Sequence, residues 1–137
     1  MSETKKYYNE AKRWIEQAKE DLISAKILFD AKRYYLVCFL AQQVVEKALK
    51  SVIYFNKEDL VLGHSVRKLV VWASKFDKRF EDIINKISIL DSYYIPTRYP
   101  NGLPEGIPAD IFNLDAAEKA FKLAESTVQI ITDYLNF

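Results

Sequence analysis

The single histidine of this 137-residue chain, His64, is the first candidate for chemistry. Histidine is the residue type whose side chain ordinarily titrates near neutrality, so general acid–base catalysis of the usual kind would have to use it. His64 follows Gly63 directly before a predicted helix start, where backbone amides and the positive end of the helix dipole favour an anion such as a phosphate. The structural alternative is that His64 only hydrogen-bonds within this loop and closes the entry to the helix.

Arg98 is the second candidate, because its guanidinium offers a fixed fork of donors that suits a carboxylate or a phosphate. It lies between Tyr94 and Tyr99 in the proline-stiffened run Asp91-Ser-Tyr-Tyr-Ile-Pro-Thr-Arg-Tyr-Pro100. These residues predict an anion clamp in which a tyrosine stacks on a base. The alternative is a salt bridge from Arg98 to Asp91 that holds this segment to its helix, while both tyrosines pack in the core.

Four polar residues share one side of the second predicted helix: Gln43, Glu46, Lys47 and Lys50. Glu46 and Lys50 have the spacing of a favourable helical ion pair, which contributes only about 0.2 to 0.5 kcal/mol, so stability alone hardly requires them. On so apolar a helix, the stripe either faces solvent or lines a groove between helices. In the groove interpretation, Gln43 and Lys47 bind a ligand or a second copy of the chain.

The composition excludes several classes of site. With one cysteine, Cys38, and one histidine, the chain holds no disulfide framework, no paired-cysteine redox centre and no zinc site built from several Cys or His ligands. We therefore expect no metal and no cofactor. Only 3 glycines leave little material for a Gly-rich phosphate loop, and a net charge of +1 predicts no general attraction to nucleic acid or membranes.

Neither a secretory signal nor a membrane span is expected. Residues 1–8 are polar and lysine-bearing, without the apolar core of a signal peptide. The longest apolar run, Tyr34 to Ala41, is far shorter than the roughly 20 residues that a spanning helix needs. Since no linker or internal repeat interrupts the sequence, we expect one cytoplasmic domain over residues 1–137.

Apolar residues recur every three or four positions in five segments, which predicts an all-α, up-and-down bundle of four long helices and one short helix. The long helices are expected from about Tyr7 to Asp30, from Val37 to Phe55, from Phe80 to Tyr94, and from a capping box at Asp115 and Glu118 to Leu135. The second is apolar around most of its circumference and should be central. Ser65 is expected to cap the short helix that follows it.

An ordered, proline-rich strap is expected before the last helix. All 4 prolines and two of the 3 glycines fall within residues 95–114, so no long helix can run through them. Prolines lower the entropy that is lost when such a segment is fixed. Its apolar side chains are expected to lay it across the bundle: Ile95, Tyr99, Leu103, Ile107, Ile111 and Phe112.

Four motifs together carry a family resemblance. They are Trp14 with Ala18-Lys-Glu-Asp-Leu22 and Ala25; Ala41-Gln-Gln-Val-Val-Glu-Lys-Ala-Leu-Lys50; Gly63-His64-Ser65 with Leu69; and Leu90-Asp-Ser-Tyr-Tyr-Ile-Pro-Thr-Arg-Tyr-Pro100. Over roughly Trp14 to Leu135, the chain resembles the HEPN domain family of prokaryotes. The resemblance implies an all-helical bundle, frequent homodimers, a nucleotide- or RNA-binding role, and frequent pairing with a small nucleotidyltransferase in toxin–antitoxin-like modules.

The chain departs from the RNA-cleaving members of that wider family in one respect. Those members resemble one another in an arginine followed, after four to six intervening residues, by a histidine that acts with it across a dimer interface. After Arg98 these positions are Leu103, Pro104 and Glu105, and His64 lies far upstream. The departure disfavours a metal-independent RNA-cleavage site of that type.

The sequence therefore predicts a non-catalytic, homodimeric HEPN-like domain that binds a nucleotide or another phosphate-bearing ligand, a partner nucleotidyltransferase, or both. In this prediction Arg98 and Lys47 hold phosphate. One alternative is a metal-independent RNA-cleaving toxin that uses Arg98 and His64 as a displaced catalytic pair; another is a pure homodimerisation or interaction module. The residues expected in the site are Gln43, Glu46, Lys47, His64, Asp91, Tyr94, Arg98 and Tyr99.

Overall fold

Three long helices form the body of the molecule, which a computed structural model describes over residues 2–137. They are α1 (Ser2–Asp30), α2 (Tyr34–Phe55) and α7 (Leu114–Leu135). Between α2 and α7 the chain forms α3 (Val66–Ala73), α4 (Lys78–Glu81), α5 (Ile84–Ile87), a first 3-10 helix (Ser88–Tyr93), a second 3-10 helix (Pro100–Gly102) and α6 (Pro108–Ile111). The described residues contain no strand, so the predicted all-α class is confirmed.

The second helix is central, as its apolar sequence predicts. α2 packs against α1, α3 and α7, and 14 of its residues are buried. Most of these are aliphatic and form the core with α1 and α7. The polar exceptions are Gln42, Glu46, Lys50 and Ser51. Burying a polar group costs free energy unless the group finds a partner, so each of these four side chains requires a hydrogen bond or an ion pair.

The long helix predicted from Phe80 to Tyr94 is instead a succession of short ones: α4, α5 and the first 3-10 helix. This stretch is rich in β-branched isoleucine and in Asp, Asn and Ser, which are weak helix formers. Two serine hydroxyls also bind backbone carbonyls within it, Ser88 to Ile84 and Ser92 to Ile89. Side-chain competition of this kind bends or interrupts a helix, and the bundle therefore has three long helices rather than four.

The last helix begins earlier than predicted. Asn113 has extended backbone angles, and its side chain accepts a 3.0 Å hydrogen bond from the Ala116 amide, so Asn113 is the N-cap. Asp115 already lies in the first turn, where it pairs with Lys119 at 3.2 Å. The capping box predicted at Asp115 and Glu118 is therefore wrong. Ser65, in contrast, caps α3 as predicted, accepting from the Lys68 amide at 3.2 Å.

The strap before α7 is anchored by fewer residues than the sequence suggests. Pro108 and Thr97 are buried, and Phe112 meets Tyr93 edge to face at 5.8 Å. At Gly102 a β-carbon would come within 3.0 Å of the Pro96 backbone, so the strap folds tightly onto itself there. Four of the apolar side chains expected to hold it against the bundle are instead about half exposed: Ile95, Tyr99, Ile107 and Ile111.

The N-cap residue of α7, Asn113, gives a direct test of where this helix begins. Asn113→Ala should lower the free energy of unfolding by about 1 kcal/mol, because it leaves an amide of the first turn without its acceptor. Asp115→Ala should cost no more than about 0.5 kcal/mol, since it removes only an exposed pair. Urea denaturation of both variants measures the difference. Equal losses, or a larger loss for Asp115→Ala, would restore the start predicted from the sequence.

Candidate ligand-binding site

Arg98 is surrounded by aromatic rings. Its Nε donates a 2.7 Å hydrogen bond to the Tyr94 carbonyl, and its guanidinium carbon lies 4.4 Å, 4.8 Å and 5.1 Å from the ring centroids of Tyr94, Phe39 and Tyr99. No carboxylate lies within 4.0 Å of it among residues 2–137, so the bridge to Asp91, the alternative to an anion clamp, is not formed. The guanidinium is oriented by stacking and one hydrogen bond, which leaves its terminal nitrogens available to an anion.

Asp91 contacts the start of α3 instead of Arg98. Its carboxylate accepts hydrogen bonds from the backbone amides of Val66 at 2.7 Å and Arg67 at 3.0 Å, and from the Ser65 hydroxyl at 3.1 Å. These donors form the N-terminus of α3, where a negative charge is favourable. The position that the sequence analysis offered to a phosphate is thus filled by Asp91 itself, and any phosphate must bind elsewhere in the cluster.

His64 is held by contacts on three sides. Its Nδ1 lies 3.1 Å from Oε1 of Glu46, its ring stacks on Tyr94 at 5.1 Å with planes 20° apart, and its carbonyl accepts a 2.7 Å hydrogen bond from Gln42. The side chain still exposes 60% of its surface. Tyr94 contacts both His64 and Arg98, and so brings together two residues that lie 34 positions apart in the chain.

The polar stripe of α2 lies between helices rather than in solvent. Glu46 and Lys50 are both nearly buried, with 5% and 6% of their side chains exposed, and Lys50 Nζ lies 3.2 Å from Oε2 of Glu46. The Lys50 ammonium also sits 5.3 Å from the ring centroid of Trp14 on α1. Gln43 joins the same network by donating to Gln42 at 2.7 Å. The solvent-facing interpretation is therefore wrong for Glu46 and Lys50.

Lys47 does not join this cluster. Its ammonium binds the Asp21 carboxylate of α1, and the surface concavity that it lines is shared with Glu10, Arg13 and Trp14 rather than with His64. Of the eight predicted site residues, the structure therefore links seven through direct contacts and leaves Lys47 outside. The role predicted for Lys47, holding phosphate beside Arg98, is not supported by this position.

An open concavity of about 240 Å³ lies at the centre of the cluster, lined by His64, Ser65, Asp91 and Tyr94. A second one, of about 320 Å³, adjoins it across His64 and Ser65 and reaches Lys68 and Trp72 on α3. Both are shallow and open to solvent. His64 and Ser65 line both concavities.

Two residues of the site were missed by the sequence analysis, Phe39 and Gln42. Gln42 is fully buried and holds the His64 carbonyl, and Phe39 supplies one of the rings around Arg98. Gln42 could have been found, because it lies four residues after Cys38 and three before Val45, on the apolar face of α2. A glutamine at a core position requires a partner, and that requirement is a signal. Phe39 carries no comparable signal.

Two other titratable groups are held in their neutral forms. Burial raises the pKa of the Cys38 thiol to about 12, which makes it a packing residue and not a nucleophile. Burial also raises the pKa of the Tyr93 hydroxyl, helped by nearby Cys38 and Asp115. Residues 2–137 contain no group of three His, Cys, Asp or Glu side chains that could hold a metal ion, and none of their helices is long and apolar enough to cross a membrane.

Known proteins resemble the chain in sequence and in structure. The family model described as HEPN domain matches residues 11–134. The chain is 30% identical over 135 residues to a Methanocaldococcus jannaschii protein named "Putative toxin MJ1304", covering 91% of this chain and 88% of that protein. The crystal structure of TT1696 from Thermus thermophilus is similar with a TM-score of 0.81 and 33% identity, over 91% of this chain and 98% of that one. ST0689, described as an archaeal HEPN homologue, has a TM-score of 0.75 and 29% identity, over 92% and 98%.

The position of Asp91 predicts a stability effect. Asp91→Ala should lower the free energy of unfolding by about 1 to 2 kcal/mol, because two amides and a hydroxyl at the start of α3 lose their acceptor. The matched control is Asp110→Ala, an exposed aspartate in α6, which should change stability by less than about 0.5 kcal/mol. Thermal and urea denaturation measure both. An Asp91→Ala variant as stable as the control would contradict the capping role.

Proposed function

The chain belongs to the HEPN domain family, and from this premise we propose that it binds the phosphate of a nucleotide at the cluster around Tyr94. The observation that supports the proposal most directly is the state of Arg98. Its guanidinium is oriented by three rings and one backbone carbonyl, while no acidic side chain of residues 2–137 neutralises it within 4.0 Å. A positioned arginine without a counter-charge is suited to a phosphate or carboxylate.

The neighbouring residues supply the rest of a nucleotide site in this proposal. Tyr99, half exposed beside Arg98, stacks on the base. His64 contributes a hydrogen bond at its other ring nitrogen, and Glu46 orients the imidazole through Nδ1. Gln43 and Asp91 act indirectly, through Gln42 and through α3. Lys47 has no role in the proposal, because it is committed to Asp21.

We also propose the wider setting. The chain would act as a homodimeric, toxin–antitoxin-like module whose partner is a small nucleotidyltransferase. Support comes from the family, in which such pairing is frequent, and from the name of the Methanocaldococcus jannaschii relative, "Putative toxin MJ1304". The site would then bind the nucleotide that such a partner also handles.

A ligand screen tests nucleotide binding. Nucleoside mono-, di- and triphosphates should raise the melting temperature, and a ligand at about 100 times its Kd adds roughly 2.7 kcal/mol, which is a rise of several degrees. Arg98→Ala should abolish the rise, because the phosphate loses its bidentate donor. Arg98→Lys should keep part of it, since the charge remains without the fork. Arg13→Ala, which removes an exposed arginine on α1, is the matched control and should respond like the wild type.

A flat screen at millimolar ligand would contradict nucleotide binding and favour the interaction module. In that case light scattering should show Arg98→Ala or Gln43→Ala shifting the protein from dimer to monomer, because the cluster would be buried at the dimer interface. If the oligomeric state of both variants equalled that of the wild type, the interaction module would be refuted as well.

RNA cleavage is a second candidate function, and the hydrogen bond between Glu46 and His64 favours it. A carboxylate that orients an imidazole leaves the other ring nitrogen able to accept a proton from an attacking hydroxyl. Arg98, which shares Tyr94 with His64, would stabilise the negative charge that develops on phosphorus oxygens. Such cleavage would need no metal.

This second candidate makes its own prediction. His64→Ala and Arg98→Ala should each abolish degradation of a labelled RNA in the presence of EDTA, without lowering the melting temperature, because the first removes the base and the second the charge stabilisation. Arg13→Ala should degrade RNA at the wild-type rate. Activity retained in either of the first two variants would refute a catalytic pair.

A further inference from the structure

A buried ion pair lies directly behind His64, and stability does not account for it. Lys50 and Glu46 lose nearly all of their hydration, which costs several kcal/mol per ion, and their attraction rarely returns more than this cost. Replacing such a pair by apolar side chains of similar size is often neutral or stabilising. Most of the other buried residues of α2 are aliphatic, so an apolar pair would suit this place in the fold.

The two oxygens of Glu46 have different partners. Oε2 accepts from the Lys50 ammonium at 3.2 Å, and Oε1 faces Nδ1 of His64 at 3.1 Å, with the Gln43 amide at 3.5 Å. Neither residue takes part in any other ion pair within 4.0 Å among residues 2–137. On the α1 side, the Lys50 ammonium lies over the ring of Trp14, whose indole nitrogen donates to Glu10 at 3.1 Å.

This arrangement determines which imidazole nitrogen carries the proton. A carboxylate beside a buried ammonium stays ionised, and an ionised carboxylate can only accept hydrogen bonds. The short contact between Oε1 and Nδ1 then requires the hydrogen on Nδ1. In neutral imidazole one nitrogen is a donor and the other an acceptor, so Nε2 is left with its lone pair.

We propose that Lys50 is a positioning residue that acts through Glu46 to hold His64 in the Nδ1-protonated tautomer, so that Nε2 presents an acceptor at the exposed side of the site. The ligand group that His64 recognises is accordingly a hydrogen-bond donor, such as a hydroxyl, and not a phosphate oxygen. This assignment deepens the proposed function and rests on it, because it gives His64 and Arg98 different parts of one ligand. The tautomer itself is a property of the unliganded protein.

The experiment is a nitrogen-15 NMR measurement of the imidazole, in which both nitrogens are detected through the carbon-bound ring protons. His64 is the single histidine of the chain, so the two resonances need no assignment. At about pH 8, well above the ordinary histidine range, the wild type should show a protonated Nδ1 and an unprotonated Nε2. Lys50→Met should reduce the preference for a protonated Nδ1, because Glu46 loses the contact with the Lys50 ammonium that holds its carboxylate in place against His64.

Two variants control the measurement. Lys50→Arg keeps the positive charge and should keep the wild-type tautomer. Lys47→Met removes a lysine from the same helix that pairs with Asp21 instead, and should also leave the tautomer unchanged. If Lys50→Met does not fold, the double variant Glu46→Leu/Lys50→Met replaces the pair with apolar side chains and should lose the preference for a protonated Nδ1.

A wild-type spectrum with the proton on Nε2 overturns the inference, and so does a Lys50→Met or double variant whose preference for a protonated Nδ1 equals that of the wild type. These outcomes are independent of nucleotide binding, since the spectra are recorded without ligand. A flat melting screen with the expected spectra would reject the proposed nucleotide and leave the Lys50 assignment standing. A positive melting screen, together with a wild-type spectrum that places the proton on Nε2, would support the proposed nucleotide and reject the Lys50 assignment.

Discussion

The rest of the site depends on one constraint, the burial of the Glu46 and Lys50 side chains between α2 and its neighbours. Each buried polar atom must find a partner, and no buried side-chain nitrogen or oxygen of the described residues lacks one. Lys50 finds Glu46 and the face of Trp14, and the second oxygen of Glu46 finds His64. The need to satisfy one carboxylate thus holds the loop before α3 against the centre of the bundle, where Gln42 adds a second attachment to the same loop.

The interruption of the predicted fourth helix has a consequence for the site. In a 3-10 helix, side chains three residues apart lie on the same side. Tyr94 directly follows the first 3-10 helix, and its amide still bonds to the Asp91 carbonyl, three residues earlier, at 3.3 Å. Asp91 therefore faces the amides of α3 while Tyr94 faces His64. One short element fixes the start of α3 and also joins the imidazole to Arg98. A continuous α-helix, with its 100° step, would separate the two side chains by about 60° around the axis.

Some features of this structure could be predicted from the sequence, and others could not. Periodicity identified α1, α2 and α7 because each buries one face against the same core, and the central place of α2 followed from its wide apolar surface. It failed between residues 80 and 94, where side-chain hydrogen bonds compete with the helix ladder, a local effect that the apolar pattern does not record. The residue types of the candidate site could be chosen from chemistry, but not their pairing. Asp91 was considered as a partner of Arg98, yet it accepts from the first amides of α3; Lys47 was expected beside Arg98, yet it binds Asp21. Those pairings depend on how each helix is rotated about its axis and how deeply it packs in the bundle, and the sequence pattern determines neither closely enough.

A fixed spacing between an arginine and a histidine in a sequence is used to predict that the two side chains lie close together in space. Here the spacing pattern is absent, yet Tyr94 contacts both residues, with Arg98 on the strap and His64 on the loop before α3. Distance alone therefore does not separate a binding site from a cleaving one in this chain. The proton on the imidazole decides instead which ligand group His64 can meet: a lone pair on Nε2 can accept from a hydroxyl, whereas a hydrogen there can only donate to an oxygen of the ligand. That proton is governed by a lysine on the far side of Glu46, which touches neither the pocket nor a ligand in it.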